Sequence, residues 1–95
     1  MPRRMQDLPA EYLSAKQALA QAIGERIRYR RLKLDITQDQ LRARMEFENV
    51  FLSRTQYSRI ENGEVLPDAA VLLALHHIFD VPLDWIVKGS GSTDQ

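Results

Sequence analysis

The 95-residue chain has no cysteine, so neither a disulfide framework nor a thiolate metal site is open to it. No apolar run approaches the roughly 20 residues that a membrane helix needs. The N-terminus carries Arg3 and Arg4 without an apolar segment behind them, so no secretory signal is expected and the cytoplasm is the expected location. Catalytic furniture is also missing: there is no glycine-rich phosphate loop, no Ser/His/Asp set and no carboxylate pair in a pocket-forming context. His76 and His77 are adjacent, so on a helix they point about 100° apart and share no metal face. An enzyme is not expected, nor a cofactor, nor a metal.

Net charge is lacking too, with 13 basic against 13 acidic residues. An even spread would argue against a polyanionic partner, but the spread is uneven. Residues 1 to 34 hold eight cations against Asp7, Glu11 and Glu25, whereas residues 64 to 95 hold Lys88 against five acids. Such a molecule can present a basic face while remaining neutral overall.

What is present is helical. Tyr12, Ala15, Leu19, Ile23 and Ile27 recur at helical spacing, so one long first helix is expected from about Leu8 to Leu34. It starts either with Pro9 in the first turn or at Ser14 with Gln17 three residues on. Gly24 lies inside it at a cost of about 1 kcal/mol relative to alanine. It is either merely tolerated or marks a close approach by another element. The run Arg26, Arg28, Arg30, Arg31, Lys33 winds round this helix, and most of it is expected to be solvated. Arg31 follows Ile27 by four positions, so it should face the core and need a carboxylate partner.

Asp35 is expected in a left-handed stop, with Ile36 turning back into the core. Thr37 and Gln40 form a capping box that opens a second helix through Leu41 and Met45, with Asn49 the expected stop. Val50 and Leu52 should pack inward. Ser53 and Gln56 form a second capping box, and Gly63 marks the end of a short third helix over 53–62. Only Tyr57 and Ile60 of that helix point inward. Arg54, Thr55, Gln56, Ser58 and Arg59 leave a face of fork-shaped donors, amide and hydroxyls suited to base edges and phosphates, although a solvated surface helix would look similar. Asp68 caps a fourth helix, Ala69 to Phe79, apolar on nearly every side and therefore central to the core or partly in a subunit interface. A fifth runs from about Pro82 to Val87, ahead of Gly89. One domain is expected over residues 10–89, between flexible ends at 1–9 and 90–95.

Five blocks in this order carry a family likeness: Ile23-Gly24-Glu25-Arg26-Ile27, then Arg31, then Thr37-Gln38 with Leu41, then Ser53 through Gly63, then Val81 through Gly89. The chain resembles the phage repressor and Cro-like helix-turn-helix regulators of XRE type. The resemblance implies an all-α, five-helix, lambda-repressor-like DNA-binding domain, here with an extended first helix. It places the third helix in the major groove of double-stranded DNA. By position it assigns base-facing roles to Arg54, Thr55, Ser58 and Arg59, and phosphate contacts to Gln38 and Asn62, with Ser53 on the same edge; Gln56 joins these DNA-binding candidates from the polar face of the helix alone. It also implies an ion pair between Arg31 and Glu61.

Two features depart from the family pattern. The segment from Thr37 to Glu61 is five residues longer than in the shortest members, which puts extra chain at about Glu46 to Val50. Arg42 and His76 stand where the family commonly has alanine. Either the long turn opens the crossing of the second and third helices, or Arg42 snorkels outward toward phosphate. The expected function is a sequence-specific transcriptional regulator, a repressor by family habit, acting as a homodimer. Its seam is expected around Leu83, Ile86, Tyr12 and Leu19. The alternative is an antitoxin-like or bridging module that holds a protein partner, with autoregulatory DNA binding.

Overall fold

Five helices make up the fold in a computed structural model that describes residues 9–90. The expectations for residues 1–8 and 91–95 lie outside the described residues. Helix α1 (Ala10–Lys33) starts behind Pro9, whose extended backbone precedes the first turn, and Ser14 lies in its interior. Its periodic stripe has two fates. Ala20, Ile23, Gly24, Ile27 and Arg31 are buried, whereas residues 10–19 are exposed throughout, so the first half of the helix extends beyond the core.

The stops follow the local chemistry. Leu34 closes α1, Asp35 takes φ 56°, and Ile36 is buried beyond it. Short polar side chains tolerate this left-handed conformation. Helix α2 (Gln38–Glu46) opens on the reciprocal capping box of Thr37 and Gln40, and its following turn ends at Asn49, φ 61°. Helix α3 (Arg54–Glu61) opens on the matching box of Ser53 and Gln56, with Asn62 as C-cap and Gly63 left-handed at φ 77°. Helix α4 (Ala69–Phe79) is capped by Asp68 and halted by Asp80, a third non-glycine residue at positive φ. Helix α5 (Leu83–Lys88) follows Pro82 and ends at Gly89.

The core is one cluster drawn from all five helices and the turns between them: Ile23 and Ile27, Leu41 and Met45, Tyr57 and Ile60, Val71, Ala74, Leu75 and Phe79, and Ile86, with Ile36, Val50 and Val81. Ile86 is fully buried, which removes it from any seam between subunits, while Tyr12, Leu19 and Leu83 remain exposed. Helix α4 buries Val71, Ala74, Leu75 and Phe79 but leaves Ala70 and Leu73 in solvent, so it flanks the core with one apolar strip uncovered.

Three helix contacts explain residues that the sequence left open. A Cβ on Gly24 would stand 2.6 Å from the Glu61 carbonyl oxygen and 2.7 Å from that of Ile60. Gly24 is therefore the point where α1 and the end of α3 touch backbone to backbone. Arg26 and Arg30 are not simply solvated. Arg26 Nη1 donates to the Ile86 and Val87 carbonyls at 3.0 and 3.1 Å, and Arg30 donates to the Phe79 carbonyl at 3.1 and 3.3 Å. Each guanidinium satisfies carbonyls at a helix C-terminus, where cations are favoured.

His76 and His77 serve turns. His76 Nδ1 donates to the Val81 carbonyl, fixing the α4–α5 turn, and His77 Nδ1 lies 2.8 Å from Glu48 in the turn after α2. Among the described residues no His, Cys, Asp and Glu cluster is arranged to hold a metal ion, and no helix is long and apolar enough to cross a membrane.

Candidate nucleic-acid interface

The orientation of the polar face of α3 depends on how the helix is held. Its C-terminal end is anchored by a buried polar cluster. Arg31 Nε and Nη2 donate to the two Glu61 carboxylate oxygens at 3.0 and 2.7 Å, a forked pair whose side chains are 9% and 1% exposed. Arg31 Nη1 also reaches the Ile36 carbonyl at 2.9 Å, which ties in the stop after α1. The Tyr57 hydroxyl donates to Glu61 Oε2, and Gln38 Nε2 donates to Oε1 at 3.3 Å. No buried side-chain polar atom among the described residues is left without a partner.

The charges in the cluster are mutually enforced. Burial alone would raise the Glu61 pKa, but hydrogen bonds from Arg31 and Tyr57, the Arg31 charge and the Gln38 bond together hold it below the ordinary carboxylate value. The bond to Glu61 raises Arg31 against the opposing effect of burial. Burial, then the bond to Glu61, pushes the Tyr57 hydroxyl well above the usual tyrosine range, so it remains a donor.

The N-terminal end of α3 is set by the long turn. Arg42 Nε and Nη2 both donate to the Leu52 carbonyl, at 3.0 and 2.9 Å, and Nη1 bonds Asp39 at 2.9 Å. The arginine in the usual alanine position thus holds the turn against α2 instead of reaching outward to phosphate in the free domain. Val50 is buried and Leu52 half-buried beneath this turn, while Phe47 and Phe51 stand 88% and 71% exposed on it.

Between these two anchors the outer face of α3 opens on a shallow cleft lined by Gln38, Arg54, Thr55, Ser58, Arg59 and Glu64. Five of the sequence-predicted residues meet there. Three others lie apart. Ser53 and Gln56 are engaged with each other: Ser53 Oγ accepts from the Gln56 amide at 3.0 Å, and Gln56 Oε1 accepts from the Ser53 amide at 2.8 Å. Gln56 also lines the side of α3 that faces the 65–68 loop. Asn62 sits at the far end, lining a groove of about 690 Å³ with Leu13, Lys16 and Gln17 of α1, and its Nδ2 lies 3.4 Å from Ser58 Oγ.

Two acids that the sequence did not flag pair with the arginines of the cleft, Glu64 within it and Asp39 in a hollow beside it. Asp39 Oδ2 accepts from Arg54 Nη2 at 2.9 Å, and Glu64 Oε1 lies 3.6 Å from Arg59 Nε. Asp39 reads in sequence as an acid favoured in the first turn of a helix, with Arg42 three residues on as its partner within α2, and the approach of α3 adds Arg54 as a second.

This arrangement, two short capped helices across a turn with the second presenting a polar face, defines a helix-turn-helix domain. A helix-turn-helix family model matches residues 27–86, and the chain belongs to that family, in its XRE-type, Cro/C1-like branch. It is a DNA-binding helix-turn-helix regulator, from a regulatory and not an enzymatic family. Comparison with curated proteins and with solved structures gave no match.

Proposed function

We propose that the chain acts as a sequence-specific transcriptional repressor, binding as a homodimer to a two-fold-related operator with α3 in the major groove of each half-site. The observation that carries this reading is the cleft on α3. Arg54, Thr55, Ser58 and Arg59 converge there with Gln38 from the start of α2. Arginine forks match guanine O6 and N7, while the amide and hydroxyls suit base edges and phosphate oxygens. A single helix covers only a few base pairs, and a neutral chain adds little non-specific attraction, so two copies on one duplex supply the affinity. Exposed Tyr12, Leu19 and Leu83 are the residues assigned to the seam.

The test is selection of binding sites from random duplex DNA. The expected product is a pair of inverted half-sites about one helical turn, or a multiple of it, apart. Enrichment of nothing above the input would contradict the reading. Phe47 and Phe51, exposed on the inserted turn, favour a second reading in which an antitoxin-like or bridging module holds a protein partner and its DNA binding is autoregulatory.

A further inference from the structure

Arg54 is 78% exposed, yet it is held in place. Its Nη2 lies 2.9 Å from Asp39 Oδ2, and the other oxygen of that carboxylate accepts from Arg42 Nη1 at 2.9 Å. Arg42 in turn holds the Leu52 carbonyl, one residue before the N-cap of α3. The carboxylate is thereby fixed relative to the backbone at which α3 begins. An isolated surface ion pair contributes little, because two long side chains must be ordered together. Here the acid is short, sits in the first turn of α2 and is already oriented by Arg42, so only Arg54 has freedom to lose.

A guanidinium has five N–H donors, and Asp39 takes one of them. The rest stay available for a forked contact with guanine. The acid lines a hollow with Thr37, Gln38 and Arg54 beside the α3 cleft, so on the proposed reading it lies on the DNA-facing side of the domain. A fixed negative charge there is unfavourable toward any duplex, and only an arginine that engages a base while keeping its acid offsets it. Arg59 also has an acid near it, Glu64 at 3.6 Å, but among the described residues no second arginine braces that one.

We propose that Asp39 is a specificity-determining positioning residue: it aims Arg54 at a base edge and penalises the transfer of Arg54 to phosphate on non-cognate DNA. This rests on the proposed reading of α3 as the base-reading helix. The neutral isostere Asp39→Asn keeps a carbonyl oxygen for Arg42 but offers Arg54 no charged acceptor. Affinities for the selected operator and for random duplex are measured by fluorescence anisotropy at one fixed salt concentration. Asp39→Asn is expected to bind random duplex several-fold more tightly and to lose roughly tenfold in operator preference, at the base pair that Arg54→Ala also relaxes.

Glu46→Gln, which removes an exposed acid at the other end of α2, leaves the preference unchanged. In an Arg54→Ala background Asp39→Asn has no further effect on preference, whereas a merely structural role would act in both backgrounds. If Asp39→Asn keeps the wild-type preference, or changes it equally without Arg54, the positioning role is wrong while the DNA-reading function stands. If the wild type itself prefers no duplex, the function reading falls first and the role of Asp39 with it.

Discussion

Removing Glu61 should unseat α3 from inside the domain. Glu61→Ala deletes both acceptors of the Arg31 fork and the acceptor of the Tyr57 hydroxyl, leaving Arg31 with the Ile36 carbonyl alone. With side chains 9% and 1% exposed, water does not take over these bonds without opening the α1–α3 contact. Breaking a buried pair at one end costs roughly 3–5 kcal/mol. A domain of this size has only about 4–12 kcal/mol in total. Urea unfolding followed by circular dichroism should show the loss directly, and the thermal midpoint should fall by more than about 12 °C. Replacing both ends, Arg31→Met with Glu61→Leu, should recover part of the loss because no charge is then stranded.

The same cluster predicts a pH dependence. The folded carboxyl of Glu61 is held below its ordinary value of 4.5, so its stabilisation is complete above that pH and is lost as pH falls through the folded value. Glu61→Gln should flatten the stability profile below about pH 4.5. A Glu61→Ala cost under about 1 kcal/mol, the level of a surface pair, would refute the reasoning.

Two further changes test how α3 is positioned. Gly24→Ala improves helix propensity by about 1 kcal/mol but drives a methyl to 2.6 Å from a backbone oxygen that cannot rotate away, so a net loss of about 1–3 kcal/mol is expected in urea unfolding. A stabilised variant would show that the crossing is looser than described. Arg42→Ala removes both bonds to the Leu52 carbonyl and should speed amide hydrogen exchange across residues 47–53 while leaving α4 and α5 protected. Unchanged exchange in that turn would mean the arginine does not hold it.

Local signals were the legible part of the chain. Both capping boxes and the stops at Asp35, Asn49 and Gly63 are written in residues three or four apart, and the structure places them where the spacing does. Arg31 was legible for a similar reason, because its position four after Ile27 fixes its face. Partners far away in sequence were not. Arg26 and Arg30 read as solvated charges, yet their carbonyl acceptors lie 60 and 49 residues on, at helix ends whose placement only the packed fold determines.

Arg42 was ambiguous because the path of the inserted turn decides where the Leu52 carbonyl lies. Ile86 carried no mark to distinguish a core position from a seam, since both demand an apolar residue on the same short helix. The donors on α3 were readable from one helix, whereas the contact of Arg54 with Asp39 forms only when α2 and α3 pack together, and Glu64 reaches Arg59 only because the chain turns back at Gly63.

The most direct measurement of the central claim is the affinity of Arg54→Ala for the selected operator and for random duplex, beside Gln38→Ala. Arg54→Ala should lose about 1–3 kcal/mol on the operator and relax preference at one base pair per half-site. Gln38→Ala should weaken all sequences alike and leave the salt dependence nearly unchanged, since it carries no charge, with some stability lost because its amide also holds Glu61. If Arg54→Ala binds operator and random duplex with the wild-type ratio, α3 does not read bases, and the protein-partner reading takes its place.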